Sequence, residues 1–169
     1  EKLYANALTV LKNEKNTFPI DEQTMYYYIP LEEAPYQTFA NELKKNTNII
    51  IKQANEIHTI PKNGKVIIGF HKDNSTAYKP YKISEKSKNI LSNLAKDKEV
   101  SLIVFGSPYA LKDVDICKVS SVLVAYENND DAMRATAKAL KGETKIHGKL
   151  PVLVNKKLKA GTGIEIEKK

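Results

Sequence analysis

Residues Ser121–Gly142 read SVLVAYENNDDAMRATAKALKG, and two periods meet in them. The first six residues are almost continuously apolar and rich in β-branched side chains, the pattern of a strand covered on both faces. Asn128-Asn129-Asp130-Asp131 then supplies a cap and negative charge at the start of a helix. Lys138 and Lys141 fall in its last turn, and Gly142 follows where a helix ends. A doubly covered strand running into a capped helix is the repeating unit of an α/β sandwich.

Outward from this unit, three further segments carry helical spacing. Tyr4, Ala7, Leu8 and Leu11 recur at that spacing, as do Tyr36, Phe39, Ala40 and Leu43, with Pro35 where a first turn tolerates it. The third runs through Ser87, Ile90, Leu91, Leu94 and Ala95, with Ser84 as its N-cap. Between the helices lie apolar runs at Met25–Ile29, Ile49–Ile51, Val66–Phe70 and Leu102–Phe105, and a weaker one at Val152–Val154. The expected fold is therefore α/β: a three-layer sandwich with a mostly parallel sheet of about six strands and helices on both faces. Ala54–Asn63 has no helical period, so that crossover is expected to be irregular, with one neighbouring strand antiparallel. Residues 1–169 read as a single domain, with a Lys- and Gly-rich tail at 155–169 leading toward a further segment. The chain opens at Glu1 without an initiator Met or a signal-like segment. The expectation is a piece of a longer protein, with any targeting signal upstream.

Composition narrows the function. The 169 residues are 41% apolar, enough for a core without disulfide or metal staples. Mean hydropathy is −0.44 and no apolar run approaches 18 residues, which argues against a membrane-spanning helix. Net charge is +7, from 27 Lys+Arg against 20 Asp+Glu, but Arg134 is the only arginine. Bidentate reading of phosphates and base edges is mainly arginine's work, so nucleic acid is not the expected partner. Cys117 is the only cysteine, which rules out an internal disulfide and a cysteine metal cluster.

No constellation of catalytic residues assembles from the sequence. His58, His71 and His147 lack metal-ligand spacing and sit beside turn residues or lysines, so surface or turn positions are expected. Ser107 follows a strand, yet the second glycine of a nucleophile elbow is missing, and Pro108 makes Ser107 an N-cap. Gly142 and Gly148-Lys149 are one residue too far apart for a P-loop, and Gly161-Thr162-Gly163 has no helix after it. Asp73 and Glu127 stand at the carboxyl ends of two strands, where open α/β sheets bind ligands; capping and solvation explain both more simply. Tyr26-Tyr27-Tyr28 alternate across a strand, which places one or two in the core and one on a contact surface. No catalytic, cofactor-binding or metal residue is assigned.

Taken in order, several segments resemble a known family. Ala7-Leu8-Thr9-Val10-Leu11-Lys12-Asn13-Glu14, followed by Phe18-Pro19-Ile20, resembles the "LLKN…LPL" entry of the second domain of glycoside hydrolase family 3. Val104–Leu111 is similar to its "FGNPY" segment, and Val122–Tyr126 with Ala132–Gly142 to its "VAYE…A..AL.G" unit. Gly148-Lys149-Leu150-Pro151-Val152 matches "G.LPV", and Ala160–Ile164 resembles the terminal "yG.GL". The resemblance implies a six-stranded sandwich packed on a separate (β/α)8 barrel, nearest to bacterial β-N-acetylglucosaminidase-like members. Some of these carry a β-lactamase-like domain after this region, and an extracytoplasmic location goes with them.

In that family the nucleophilic aspartate and, in the hexosaminidase branch, a histidine in a "KH.PG.G" motif belong to the barrel, and neither the barrel nor that motif is present here. In the β-glucosidase branch an acid/base glutamate comes from the sandwich, and no position of this chain, Glu56 and Glu127 included, is assigned to it. The resemblance thus implies a non-catalytic second domain, inactive alone, whose partners are the barrel of the same parent and that parent's carbohydrate substrate. The alternative is a stand-alone small-ligand or protein-interaction module. A surface made to be covered by a barrel is expected to expose an apolar patch, marked by aromatics among Tyr4, Tyr26, Tyr27, Tyr28, Tyr78, Tyr81 and Tyr109.

Overall fold

The computed structural model describes residues 1–72 and 81–169. Asp73 and Tyr78 lie outside the described residues. The elements in chain order are α1 (Lys2–Ala7), β1 (Thr9–Asn13), β2 (Met25–Leu31), α2 (Gln37–Lys44), β3 (Asn48–Ile51), β4 (Lys65–His71), α3 (Glu85–Ala95), β5 (Glu99–Phe105), β6 (Ser121–Val124) and α4 (Asp130–Leu140). Single 3-10 turns stand at Glu14–Asn16, Ala54–Thr59 and Pro108–Leu111.

The six strands form one sheet in the order β1-β6-β5-β4-β2-β3. β2 pairs parallel with both β3 and β4, and β4–β5 and β5–β6 are parallel as well. Side chains alternate between the two faces. Val66, Ile68 and Phe70 of β4 and Val100, Leu102 and Val104 of β5 join Ile90, Leu91 and Leu94 of α3 in one core. On the opposite face Ile67, Ile103, Phe105 and Leu123 join Phe39 and Leu43 of α2 and Met133, Ala137 and Leu140 of α4. The three-layer α/β sandwich is thus present.

The helix caps follow from the sequence. Asn129 Oδ1 accepts from the Ala132 N–H at 2.8 Å, Asp130 and Asp131 occupy the first turn of α4, and Gly142 takes φ +82° after it. Ser84 Oγ accepts from the Ser87 N–H at 3.2 Å at the start of α3.

Three expectations are corrected. The spacing of Tyr4, Ala7, Leu8 and Leu11 does not make one helix: α1 stops at Ala7, and Thr9–Asn13 becomes β1, antiparallel to β6. Leu8 and Val10 are fully buried on the same face, a strand's period, and β1 satisfies backbone groups that would otherwise line a bare edge of β6. The antiparallel strand is therefore β1, not a neighbour of Ala54–Asn63, although that crossover is irregular as expected. Val152–Val154 is no strand, since the Val154 N–H turns back to the Leu158 carbonyl at 2.9 Å.

The last residues fold back onto the sandwich. The Ile164 N–H donates to the Val10 carbonyl at 2.8 Å, Ile166 bridges Ile146, and the Lys169 N–H reaches the Gly142 carbonyl at 2.9 Å. Gly148 is where this layer crosses the α1–β1 junction, and a Cβ there would strike the Ala7 and Leu8 carbonyls.

Candidate functional site at the carboxyl end of the sheet

The chain leaves β2 toward β3 on one side and then crosses to β4 on the other, so the topological switch point lies between β2 and β4. In open α/β sheets the crevice beyond that point is where ligands bind. Here a buried polar chain plugs it. Tyr28 from β2 and His71 at the end of β4 are both fully buried, and the Tyr28 hydroxyl bonds His71 Nε2. His71 Nδ1 lies 2.7 Å from Asn128 Oδ1, and Asn128 Nδ2 donates to the Pro35 carbonyl at 2.9 Å.

The last contact fixes the amide and hence every proton. Nδ1–H donates to Asn128, leaving Nε2 to accept from Tyr28. The imidazole is stacked on Phe105, with centroids 4.4 Å apart and planes 9° apart. Burial pushes the His71 pKa down to about 4 despite the opposing bond from Asn128, and burial raises the Tyr28 phenol well above its ordinary range. Both rings are neutral at pH 7, and neither has an open position for a substrate. They tie β2 and β4 to the loops before α2 and α4. The expected surface position of His71 is thus wrong: strand alternation turns it toward α2, where Phe39 and Phe105 enclose it. His58 and His147 are exposed.

Gly69 makes room for this pair. A Cβ at that position would collide with the Tyr28 hydroxyl and lie 2.8 Å from His71 Nε2. Tyr26 is buried with Tyr28, while Tyr27 faces the α3 side, half-buried.

Beside the plug, the chain turns sharply after β6. Tyr126 takes φ +70°, a left-handed conformation that costs a non-glycine residue energy and is found where surroundings enforce it. Its hydroxyl lies 2.6 Å from Thr9 Oγ1, which in turn donates to the Ala7 carbonyl at 2.9 Å. The turn presents Glu127, which is exposed and accepts from Tyr4 Oη at 3.2 Å and from Asn129 Nδ2 at 2.8 Å. Glycosidic hydrolysis by two carboxyl groups needs a second one across the sugar bond. The nearby carboxylates have other duties: Asp130 accepts from Thr38 Oγ1 at 2.7 Å, and Glu32 accepts from the Ser84 N–H at 2.7 Å. Glu56 closes the capping box of the 54–59 turn.

Farther along the rim, on the α3 side, Tyr81 and Tyr109 flank a cavity of about 300 Å³. Ser107 caps the 3-10 turn that carries Tyr109, accepting its N–H at 3.2 Å, as the sequence indicates. Tyr81 and Tyr109 are exposed, and so is Leu3 of α1, at 78%. Tyr26 and Tyr28 are not. Cys117 is exposed beside Lys157 in a separate cavity of about 410 Å³. Among the described residues, no cluster of His, Cys, Asp or Glu could hold a metal ion, and no helix is long and apolar enough to cross a membrane.

No protein-family model matches the chain, and no curated protein matches it by sequence. Solved structures do share its fold. A glycoside hydrolase family 3 β-N-acetylglucosaminidase from Paenibacillus sp. FPU-7 superposes with a TM-score of 0.69 at 18% identity, over 91% of this chain and 32% of that one. A fungal multi-domain family 3 β-N-acetylglucosaminidase gives 0.66 at 23% identity, over 88% of this chain and 18% of that one. A family 3 β-glucosidase from Neurospora crassa gives 0.70 at 10% identity, over 89% and 24%. At these identities the likeness establishes the fold. The chain spans a third or less of the length of these three enzymes.

Proposed function

We propose that this chain is the second, α/β-sandwich domain of a family 3 glycoside hydrolase. In this reading it is non-catalytic, packs on a (β/α)8 barrel of the same parent and shapes the rim of that barrel's sugar site. The observation that carries the reading is coverage. The sandwich is matched nearly end to end by structures named as family 3 enzymes, and it accounts for only 18–32% of their chains. The ordered resemblance from Ala7 to Ile164 supports the same assignment from the sequence side.

The rim chemistry fits a supporting role. Tyr28, His71 and Asn128 spend their hydrogen bonds on one another and on Pro35, which orients loops without offering a free acid or base. Glu127 is exposed at the turn after β6, and one carboxylate does not make a two-carboxylate hydrolase. We assign the parent a β-linked N-acetylglucosamine substrate, the specificity printed for two of the enzymes that share the fold.

Association tests the reading. The barrel-coding region of the parent gene, expressed separately, is expected to form a one-to-one complex with this chain in sedimentation velocity. Absence of such a region, or failure of the two purified pieces to associate at micromolar concentration, would overturn it.

A further inference from the structure

The Tyr81 and Tyr109 rings pair with each other at the rim. The ring centroids are 5.6 Å apart and the planes are inclined by 37°. Tyr81 leaves half of its surface in water and Tyr109 more than a third. Paired aromatic faces left open beside a cavity are an unspent binding surface.

The rings are also held in place. Lys72 Nζ donates to the Lys82 carbonyl at 3.1 Å, and the Ser84 N–H to Glu32 at 2.7 Å, so the backbone after Tyr81 is pinned twice. The Tyr109 N–H is pinned by Ser107. Ile83 and Ala110, both buried in the core, form the floor. A surface ordered beforehand loses little entropy when a ligand arrives.

The rim is cationic. Among the described residues its lining carries Lys82, Lys88 and Lys112 against one carboxylate, Asp113. Lys88 is engaged by Glu85 at 2.9 Å. Lys82 and Lys112 make no ion pair among the described residues. A volume of about 300 Å³ is at the small end of ligand sites and suits one or two sugar rings.

We infer that this cavity is a subsite for a saccharide unit carrying an anionic group, with the apolar face of the sugar on Tyr81 and Tyr109 and the carboxylate or phosphate on Lys82 and Lys112. The inference deepens the proposed function and rests on it for its setting, an accessory contact to a glycan.

The test is an NMR titration of the whole chain, following tyrosine ring resonances, with trigalacturonate, glucose 6-phosphate, neutral chitotriose and inorganic phosphate as probes. At least one acidic sugar is expected to shift Tyr81 and Tyr109 saturably, about tenfold more tightly than chitotriose. Whichever acidic sugar binds identifies the carboxylate or the phosphate as the anion. Tyr81→Ala and Tyr109→Ala should each weaken that binding about fivefold or more, while Tyr109→Phe keeps it. Lys82→Ala and Lys112→Ala should erase the preference for the acidic sugar. No saturable shift with any sugar, equal binding of chitotriose, or inorganic phosphate binding as well as the sugars would each overturn the inference. Failure here leaves barrel association untouched, and failure of that association leaves this titration untouched.

Discussion

The face of the sheet under α3 is filled mostly by aliphatic side chains: Val66, Ile68, Val100, Leu102, Val104 and Val122. The face under α2 and α4 packs Phe105, Tyr28 and His71 against Phe39 of α2, joined by tilted and stacked rings and a hydrogen-bonded chain. The first face asks only that volume be conserved, and cores of that kind tolerate repacking. The second has directional contacts that admit one arrangement, and its polar chain ends on Asn128 and Pro35 at the rim. One face holds the sheet together; the other also aims the loops.

The sharpest way to break this contrast is at adjacent residues of β4. Gly69→Ala drives a methyl group into the Tyr28 hydroxyl. It should cost about 3 kcal/mol, or roughly 10 °C in Tm. Ile68→Val, on the aliphatic face, should cost about 1 kcal/mol. Thermal melts yielding equal losses would remove the distinction.

A second effect belongs to the aromatic face alone. His71 titrates at about 4 in the fold against 6.5 ordinarily. Between those values the unfolded chain binds a proton that the native state refuses, so stability falls as the pH drops from about 6.5 to 4. From pH 7 to pH 5 the loss should be about 2 kcal/mol in urea melts. His71→Gln, less stable at pH 7, should be nearly flat over that range. Asp21, Glu42, Asp97 and Asp115 are held below their ordinary values of 3.8 to 4.5 by hydrogen bonds and nearby lysines, and their stabilisation is lost only as the pH falls below that range. A slope between pH 7 and 5 that survives in His71→Gln would assign the effect elsewhere.

The smallest difference separates two caps. Ser84→Ala should cost about 1 kcal/mol. Asn129→Ala should cost slightly more, about 1.5 kcal/mol, because Asn129 Nδ2 also donates to Tyr4 Oη at 2.9 Å and to Glu127. Equal costs in chemical denaturation would mean that the tether to α1 contributes nothing.

The aliphatic face was legible in the chain. Continuous runs such as Val66–Phe70 and Leu102–Phe105 announce strands covered on both faces, and Ser84, Asn129 and Gly142 mark helix ends by residue type. β1 was hidden because Tyr4, Ala7, Leu8 and Leu11 satisfy a helical period while Leu8 and Val10 satisfy a strand's; only the need of β6 for an edge partner decides between them. The site was less legible still. His71 adjoins Lys72 and a polar stretch, so composition places it in water, but it is the last residue of β4 and shares a face with Ile67 and Gly69. Counting alternate residues through the strand would have found it. Tyr28 and Asn128 meet His71 from 43 and 57 residues away, a juxtaposition that only strand order brings about. Tyr81 and Tyr109 are candidate exposed aromatics by residue type, but their pairing depends on two separate connections ending side by side.

The proposed function holds that this sandwich supports catalysis without performing it. Initial rates of 4-nitrophenol release from 4-nitrophenyl N-acetyl-β-D-glucosaminide test it directly, measured for the purified 169-residue chain and for the same chain joined to the barrel of its parent gene. The account predicts no release above background from the chain alone, saturable turnover from the joined protein, and loss of several orders of magnitude when the barrel is removed. Saturable release by the isolated chain, abolished by Glu127→Gln, would contradict it.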